Sequence, residues 1–359
     1  MNANYYDALL PVGELAEDAA AAIAGLRLPF RALASVFVPA GRIVVALVSD
    51  SPRLSGMFAD NWAPAAAHQE PDATLYALER PAGAYGLDDI FDGARWWSPG
   101  AKTMAAFGAK SYRLAKVCVR GICSAVSDDD TVFLHGCTLA VGAASARHGV
   151  VITGGSGAGK TTLVANLLHR AGYPVTVLND DWGAVSLTSA NAVSTGERML
   201  HMKCSSVLAL RPGFFATARH GSYAPDLSEP DRARVMVSPR AVYGPRWDTR
   251  PVVVDHLMVI VREHPAWVAP RRPLDVVRAI TTGGNLDAIP HHQAFLNGSL
   301  LLRTTGDQLR EERRYQRLLE HVAVSWINNY GSPDDLAASF VSAVTKSGGL
   351  PHPRASPLN

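Results

Sequence analysis

The chain has no long apolar run, no excess of charge of either sign and few cysteines, and each shortage removes a class of function. No window reaches the roughly 18 uninterrupted apolar residues that a membrane helix needs. Against 34 Lys and Arg stand 32 Asp and Glu, a net charge of +2. Bulk electrostatics therefore draws the chain to neither nucleic acid nor an anionic membrane, and neither is expected as a partner. Four cysteines, Cys118, Cys123, Cys137 and Cys204, are too few and too irregular for a disulfide framework, and no C-x-x-C pair suggests zinc. All four are expected to be reduced thiols. The opening stretch "MNANYYDALLPVGELAEDAAAAIAGL" lacks a basic segment followed by an apolar core, so a cytoplasmic address is the expectation.

Apolar residues make up 48% of the 359, a globular composition with enough length for one large or two medium domains. Up to residue 128 the pattern reads as an N-terminal α/β domain with an acceptor-binding or structural role. "AEDAAAAIAGL" is a helix candidate and "RIVVALVSD" a buried strand. Residues 60–100 are rich in Trp, Pro and Gly and read as loops, with "TLYALER" as a strand candidate. No nucleotide signature occurs in this half.

Signals sharpen over 129–347. "TVFLHGCTLAV" and "HGVVITG" are apolar, β-branched runs that predict two strands. Between the second run and a helical pattern in "KTTLVANLLHRAGY" lies Gly154-Gly155-Ser156-Gly157-Ala158-Gly159-Lys160-Thr161, a full match to the phosphate-loop motif. Glycines let successive amides turn inward on an anion. Lys160 offers charge to β- and γ-phosphates, Thr161 a hydroxyl to Mg²⁺, and the helix start a positive dipole end. Thr162 completes the candidate loop, and ATP is the favoured nucleotide. "PVTVLNDDWG" then predicts a short strand ending in Asp180 and Asp181. The interval from Lys160 fits one helix, one turn and one strand, so a βαβ unit would bring both acids beside the triphosphate. One carboxylate would hold Mg²⁺ and the other would accept a proton from an attacking hydroxyl. His135 opens the strand expected beside the loop strand.

A His-Gly dipeptide opening a strand, a hairpin, the phosphate loop, one helix and a strand ending in Asp-Asp together resemble the HPr kinase/phosphorylase family. The resemblance covers about residues 130–190, extends weakly to about 262, and implies a phosphoenolpyruvate carboxykinase-like P-loop kinase core. The implied fold class is α/β, with this core between the N-terminal α/β domain and C-terminal helices. It also implies ATP and Mg²⁺ as cofactors, Lys160 and His135 as catalytic groups, Asp180 as base and Asp181 at the metal, with the reverse order of the aspartates left open. Thr162 stands where the family usually has Glu, and its Arg-Gly-x-Gly signature has no clear counterpart in "LALRPGFF". The acceptor expected is accordingly a hydroxyl of a small molecule or of a peptide precursor, rather than HPr.

Arg198, Lys203 and Arg211 are candidates to neutralise the transferring group. "VVVDHLMVIV" predicts a further strand, and "DQLREERRYQRLLEHVAV" a helix whose charged face is either solvated or a homo-oligomer contact. "SPDDLAASFVSAV" predicts a helix with Ser332 as N-cap and Pro333 in its first turn. "RAITTGGNLDAI", with Gly283 and Gly284, is either a mobile substrate loop or a helix end. Residues 348–359 read as a disordered tail. Two other readings stand beside the kinase: a P-loop NTPase switch or nucleotide-dependent binding protein, and an inactive scaffold. No N-K-x-D supports the former, and intact Lys160, Thr161 and the acid pair oppose the latter.

Overall fold

A computed structural model describes residues 13–14, 17–87, 95–109, 112–143, 147–155, 157–169, 174–217, 227–231, 233–261, 275–277, 280 and 305–346. The expected tail at 348–359 and the Gly283–Gly284 segment lie outside the described residues. The protein is mixed α/β, and its contacts divide it into two units. Among the described residues the first comprises those up to Phe133, Thr195–Arg198 and 305–314. The second comprises Leu134–Ser194, 199–280 and 315–346.

In the first unit, β1 (Gly13–Glu14), β2 (Phe30–Val38), β3 (Gly41–Ser49), β4 (Ala63–Pro64), β5 (Ala73–Leu78), β6 (Arg95–Ser98) and β7 (Thr103–Phe107) form one sheet. Their order is β1-β6-β7-β5-β3-β2-β4. β2 and β3 make an antiparallel hairpin, while β3, β5 and β7 run parallel. The stretch read as loops between 60 and 100 thus contributes β4 and β6 as well as β5. The helices are α1 (Glu17–Ala24), α2 (Pro52–Asn61) and α3 (Tyr112–Val126). Helix α2 starts where the sequence dictates, since the Ser51 hydroxyl accepts the Leu54 amide at 3.2 Å and Pro52 follows as N1. Ala19, Ala20 and Ile23 of α1 bury against Tyr76, Leu78 and Phe107.

The chain enters the second unit at the end of β8 (Thr131–Leu134). There β9 (Gly136–Val141), β10 (His148–Gly154), β11 (Val175–Asn179), β12 (Gly183–Ser186), β13 (Asn191–Val193), β16 (Val252–Val261) and β17 (Ala323–Asn328) share a mixed sheet. Their order is β11-β9-β10-β16-β13-β12, with β17 pairing β16. β14 (Leu200–Lys203) and β15 (Arg234–Val237) form a separate pair. The helices after α3 include α4 (Lys160–His169), α5 (Cys204–Leu210), α6 (Phe214–Thr217), α7 (Pro239–Tyr243), α8 (Thr305–His321) and α9 (Pro333–Lys346). "HVAV" leaves the expected long helix: α8 stops at His321 and Ala323 opens β17, because its β-branched and aromatic run "AVSWIN" pairs in parallel with β16. Ser332 caps α9, its hydroxyl accepting the Asp335 amide at 3.2 Å while Asp335 accepts the Ser332 amide in return.

Strand direction decides where chemistry can gather. β10 runs parallel to β16, which runs parallel to β17. β9 is antiparallel to both β10 and β11, so β10 and β11 point the same way with β9 between them. The C-terminal ends of β10, β11 and β17 and the N-terminal end of β9 therefore meet one edge of the sheet. Leu163, Val164 and Leu167 of α4 bury against this sheet's Val150, Ile152, Val177 and Ile260. No helix among the described residues is long and apolar enough to cross a membrane, and the four cysteines are free and buried.

Candidate functional site

The loop after β10 turns through left-handed backbone at Gly154, Gly157 and Gly159, with φ of 148°, 82° and 107°. A side chain at Gly159 would also put Cβ 2.2 Å from Asn329 Nδ2, so that position has neither the dihedral nor the room for another residue. Lys160 opens α4, followed by Thr161, half-buried, and Thr162, exposed. Amides in the first turn of a helix have no intrahelical acceptor, and the dipole adds positive potential there. Ser156 lies outside the described residues; Gly155 and Ala158 are in place, the Ala158 amide donating to the Gly155 carbonyl at 3.1 Å.

Lys160 Nζ donates to the carbonyls of Gly154 at 2.7 Å and Gly155 at 3.1 Å. Part of the side chain stays accessible, but the ammonium lies deep among protein atoms. Desolvation pulls its pKa down to about 8, against the opposing pull of Asp181 and Asp180. The lysine thus feels both acids while hydrogen-bonding only neutral carbonyls. A polyanion such as a triphosphate would restore the compensation that burial removed, so the loop fits a nucleotide.

The acid pair follows β11. A bulge between Val177 and Asn179 breaks the pairing with β9, and Asn179 Nδ2 donates to the Val193 carbonyl at 2.8 Å, fixing the strand end. Asp181 has φ 79°, sparsely populated for a non-glycine residue and a mark of strain at functional positions. Its Oδ1 lies 3.3 Å from His135 Nε2. His135 is held by its own carbonyl, which accepts the Thr153 hydroxyl at 2.9 Å one residue before the phosphate loop. The glycine after it is required by close approach: a Cβ at Gly136 would stand 2.3 Å from the Ile152 carbonyl oxygen. Asp180 turns the other way, and its Oδ2 accepts a 2.5 Å hydrogen bond from the Tyr243 hydroxyl. Burial first, then the negative charge of Asp180, pushes the Tyr243 phenol well above its ordinary pKa, so it remains a donor.

The structure therefore gathers His135, the phosphate loop with Lys160, and Asp180 with Asp181 at one sheet edge. The other three cations named from the sequence make these contacts. Arg198 belongs to the first unit, where its amide donates to the Asn61 carbonyl at 2.6 Å and its side chain is exposed. Lys203 ends β14 opposite Arg234 and immediately precedes α5. Arg211 donates from Nη1 to the Ala241 carbonyl, bracing α7.

Two members of the site escaped the sequence reading. Tyr243 is 63 residues from its partner Asp180, and no local pattern connects them. Asn329 donates from Nδ2 to the Ala158 carbonyl at 2.7 Å and thereby props the phosphate loop. Its signal was available: a polar residue directly after an apolar strand, the same pattern as "VLNDD". Among the described residues no group of three or more His, Cys, Asp or Glu side chains gathers as a metal site. Magnesium at a nucleotide takes only one or two protein oxygens, with phosphates and water supplying the rest, so Thr161 and one aspartate would suffice to hold it. No family model matches the chain, and no curated protein matches it either.

Proposed function

We propose that the protein is an ATP-dependent kinase that moves the γ-phosphoryl group to a hydroxyl of a small molecule or a Ser-like peptide acceptor. One observation carries this reading: the phosphate-loop lysine shares its local field with two adjacent carboxylates, and one of those carboxylates lies 3.3 Å from an imidazole. Binding phosphates needs the loop alone. An Asp–His pair beside it adds what hydroxyl attack requires, a proton acceptor next to the transferring group.

The chain's residues divide the work. Loop amides and the first turn of α4 bind the phosphates, and Lys160 compensates their charge. Thr161 and one of the two aspartates would hold magnesium, which when bound neutralises phosphate charge. The other aspartate takes the acceptor's proton, with His135 orienting it. The mixed sheet, with antiparallel β9 beside the loop strand, suits a phosphoenolpyruvate carboxykinase-like core better than the mostly parallel doubly wound sheets that bind dinucleotides.

Lys160→Ala is expected to weaken ATP binding and to abolish turnover together. Replacing both aspartates by Asn should abolish transfer while ATP still binds without metal. Normal ATP turnover in the double Asp→Asn variant would refute the assignment.

A further inference from the structure

The turn after β17 reaches the phosphate loop from a distant part of the chain. Asn329 follows the last residue of β17, and its amide donates at 2.7 Å to the carbonyl of Val261, the last residue of β16. That bond extends the parallel pairing of β16 and β17 past the strand, so the sheet fixes the Asn329 backbone. Further on, Ser332 and Asp335 cap each other at the start of α9. Leu336, Ala337 and Phe340 of that helix bury with Leu163 and Leu167 of α4. The turn that carries Asn329 is therefore anchored at both ends.

Asn329 Nδ2 donates to the Ala158 carbonyl at 2.7 Å. A trans peptide unit points its C=O and its N–H to opposite sides, and no cis bond occurs among the described residues. Holding the Ala158 carbonyl toward Asn329 turns the Gly159 N–H away from it. Gly159 is also where α4 begins, since its carbonyl accepts the Leu163 amide at 2.9 Å. The Ala158 amide is used inside the loop, on the Gly155 carbonyl at 3.1 Å. The amides that can converge on an anion thus start at Gly159 and continue into the first turn of the helix. Glycine permits either orientation of the peptide before it, so a donor on that carbonyl selects one of two. Packing at position 329 would brace the loop without making that choice.

Resting on the reading of this loop as a triphosphate site, we propose that Asn329 is a positioning residue: by holding the Ala158 carbonyl it aims the Gly159 N–H at the phosphates. With that peptide flipped, the carbonyl oxygen would face the phosphates in place of the N–H, a repulsion where there had been a hydrogen bond. Asn329 acts through the Ala158 peptide and not on the nucleotide. The absence of a Cβ at Gly159 makes room for this, since one there would stand 2.2 Å from Nδ2.

Calorimetric titration of the full chain with ATP and, separately, with inorganic tripolyphosphate, both with Mg²⁺, reads phosphate binding with and without the nucleoside. A thermal melt of each variant runs beside it. Asn329→Leu keeps the shape of Asn and removes the donor. Because the bond at stake runs from an amide to a charged oxygen, both ligands should bind about tenfold more weakly, by the same factor. Leu336→Ala is the control. Leu336 Cδ2 lies 3.5 Å from where a Gly159 Cβ would be, so this variant loosens the same spot and keeps the Asn329 side chain. It should lower the melting temperature and leave tripolyphosphate affinity near that of the wild type. Unchanged tripolyphosphate affinity in Asn329→Leu, an equal loss in Leu336→Ala, or a loss confined to ATP overturns the inference. If either variant does not fold, Asn329→Ala or Leu336→Met takes its place. A wild type that binds neither ligand defeats the reading of the loop as a phosphate site, and this inference with it. A wild type that binds both but passes phosphate from ATP only to water defeats the kinase reading, and the binding comparison still decides the role of Asn329.

Discussion

Two groups of charges in this molecule use the same chemistry to opposite ends. In the first unit, Lys116 and Arg120 of α3 meet Glu197. Lys116 Nζ lies 2.9 Å from Oε2, and Arg120 Nε and Nη2 lie 3.1 and 2.9 Å from Oε1. All three side chains are 5% exposed or less. In the second unit, His135, Asp180 and Asp181 stand beside strand ends and Lys160 opens α4, two like charges adjacent and one of them on left-handed backbone. In the first group opposite charges meet at short range away from solvent, two cations on one carboxylate. The second carries costs that its own contacts do not remove, a desolvated cation and a strained acid of about 1–3 kcal/mol. Paired burial marks a structural cluster, whereas a desolvated lysine with a strained acid at a sheet edge is the arrangement that the kinase reading uses.

That contrast can be broken from either side. The largest effect is expected from replacing Asp180 and Asp181 together by Asn, which should lower phosphoryl transfer by about 10³-fold or more, at least the range for removal of a general base. Asn tolerates left-handed backbone, so the melting temperature should stay put, and initial rates beside a thermal melt check both. Glu197→Gln should do the reverse. Removing one partner from a buried ion group costs about 3–5 kcal/mol of stability, read by denaturant unfolding. Gly159→Ala should destabilise by about 1–3 kcal/mol, because φ there is 107° and Cβ would meet Asn329; ATP affinity should fall with it.

The smallest effect sharpens the comparison most. Lys160→Met should stabilise the protein by about 1 kcal/mol at neutral pH, whereas the loss of Glu197 destabilises it. The sign follows from the lowered pKa. Between about 8 and 10.5 the unfolded chain holds a proton at Lys160 that the folded chain has released, so stability rises with pH through that window. The penalty of the buried ammonium is fully present below pH 8. The Met variant should lack this rise, and equilibrium unfolding across the window tests it.

Much of the site was legible because it is local. Strand, glycine-rich loop, helix and acid pair fall within 34 residues from His148 to Asp181, and each element has its own pattern. His135 is 18 residues from Thr153, close enough for a hairpin register to be guessed. Tyr243 and Asn329 were not legible as partners, because they arrive through strand order and a chain-distant turn. The first unit shows the same limit. "RIVVALVSD" reads as a strand, but nothing local says that β3 lies between β2 and β5. Nothing local in the sequence says that Thr195–Arg198, which follows the acid pair, groups with the first unit, the Arg198 amide donating to the Asn61 carbonyl and the Phe37 amide to the Thr195 carbonyl. The end of α8 was misplaced because "HVAV" suits a helix by spacing and a strand by β-branching, and pairing with β16 decided it.

The central claim is that phosphate leaves ATP for a hydroxyl other than water. Incubating the full chain with γ-labelled ATP and Mg²⁺, against cell extract fractionated into peptides and small molecules, tests it most directly. The account predicts label in an organic phosphate ester for the wild type and none for the double Asp180→Asn, Asp181→Asn variant. Label recovered only as inorganic phosphate, with every fraction tested, would contradict it and favour an NTP-driven switch.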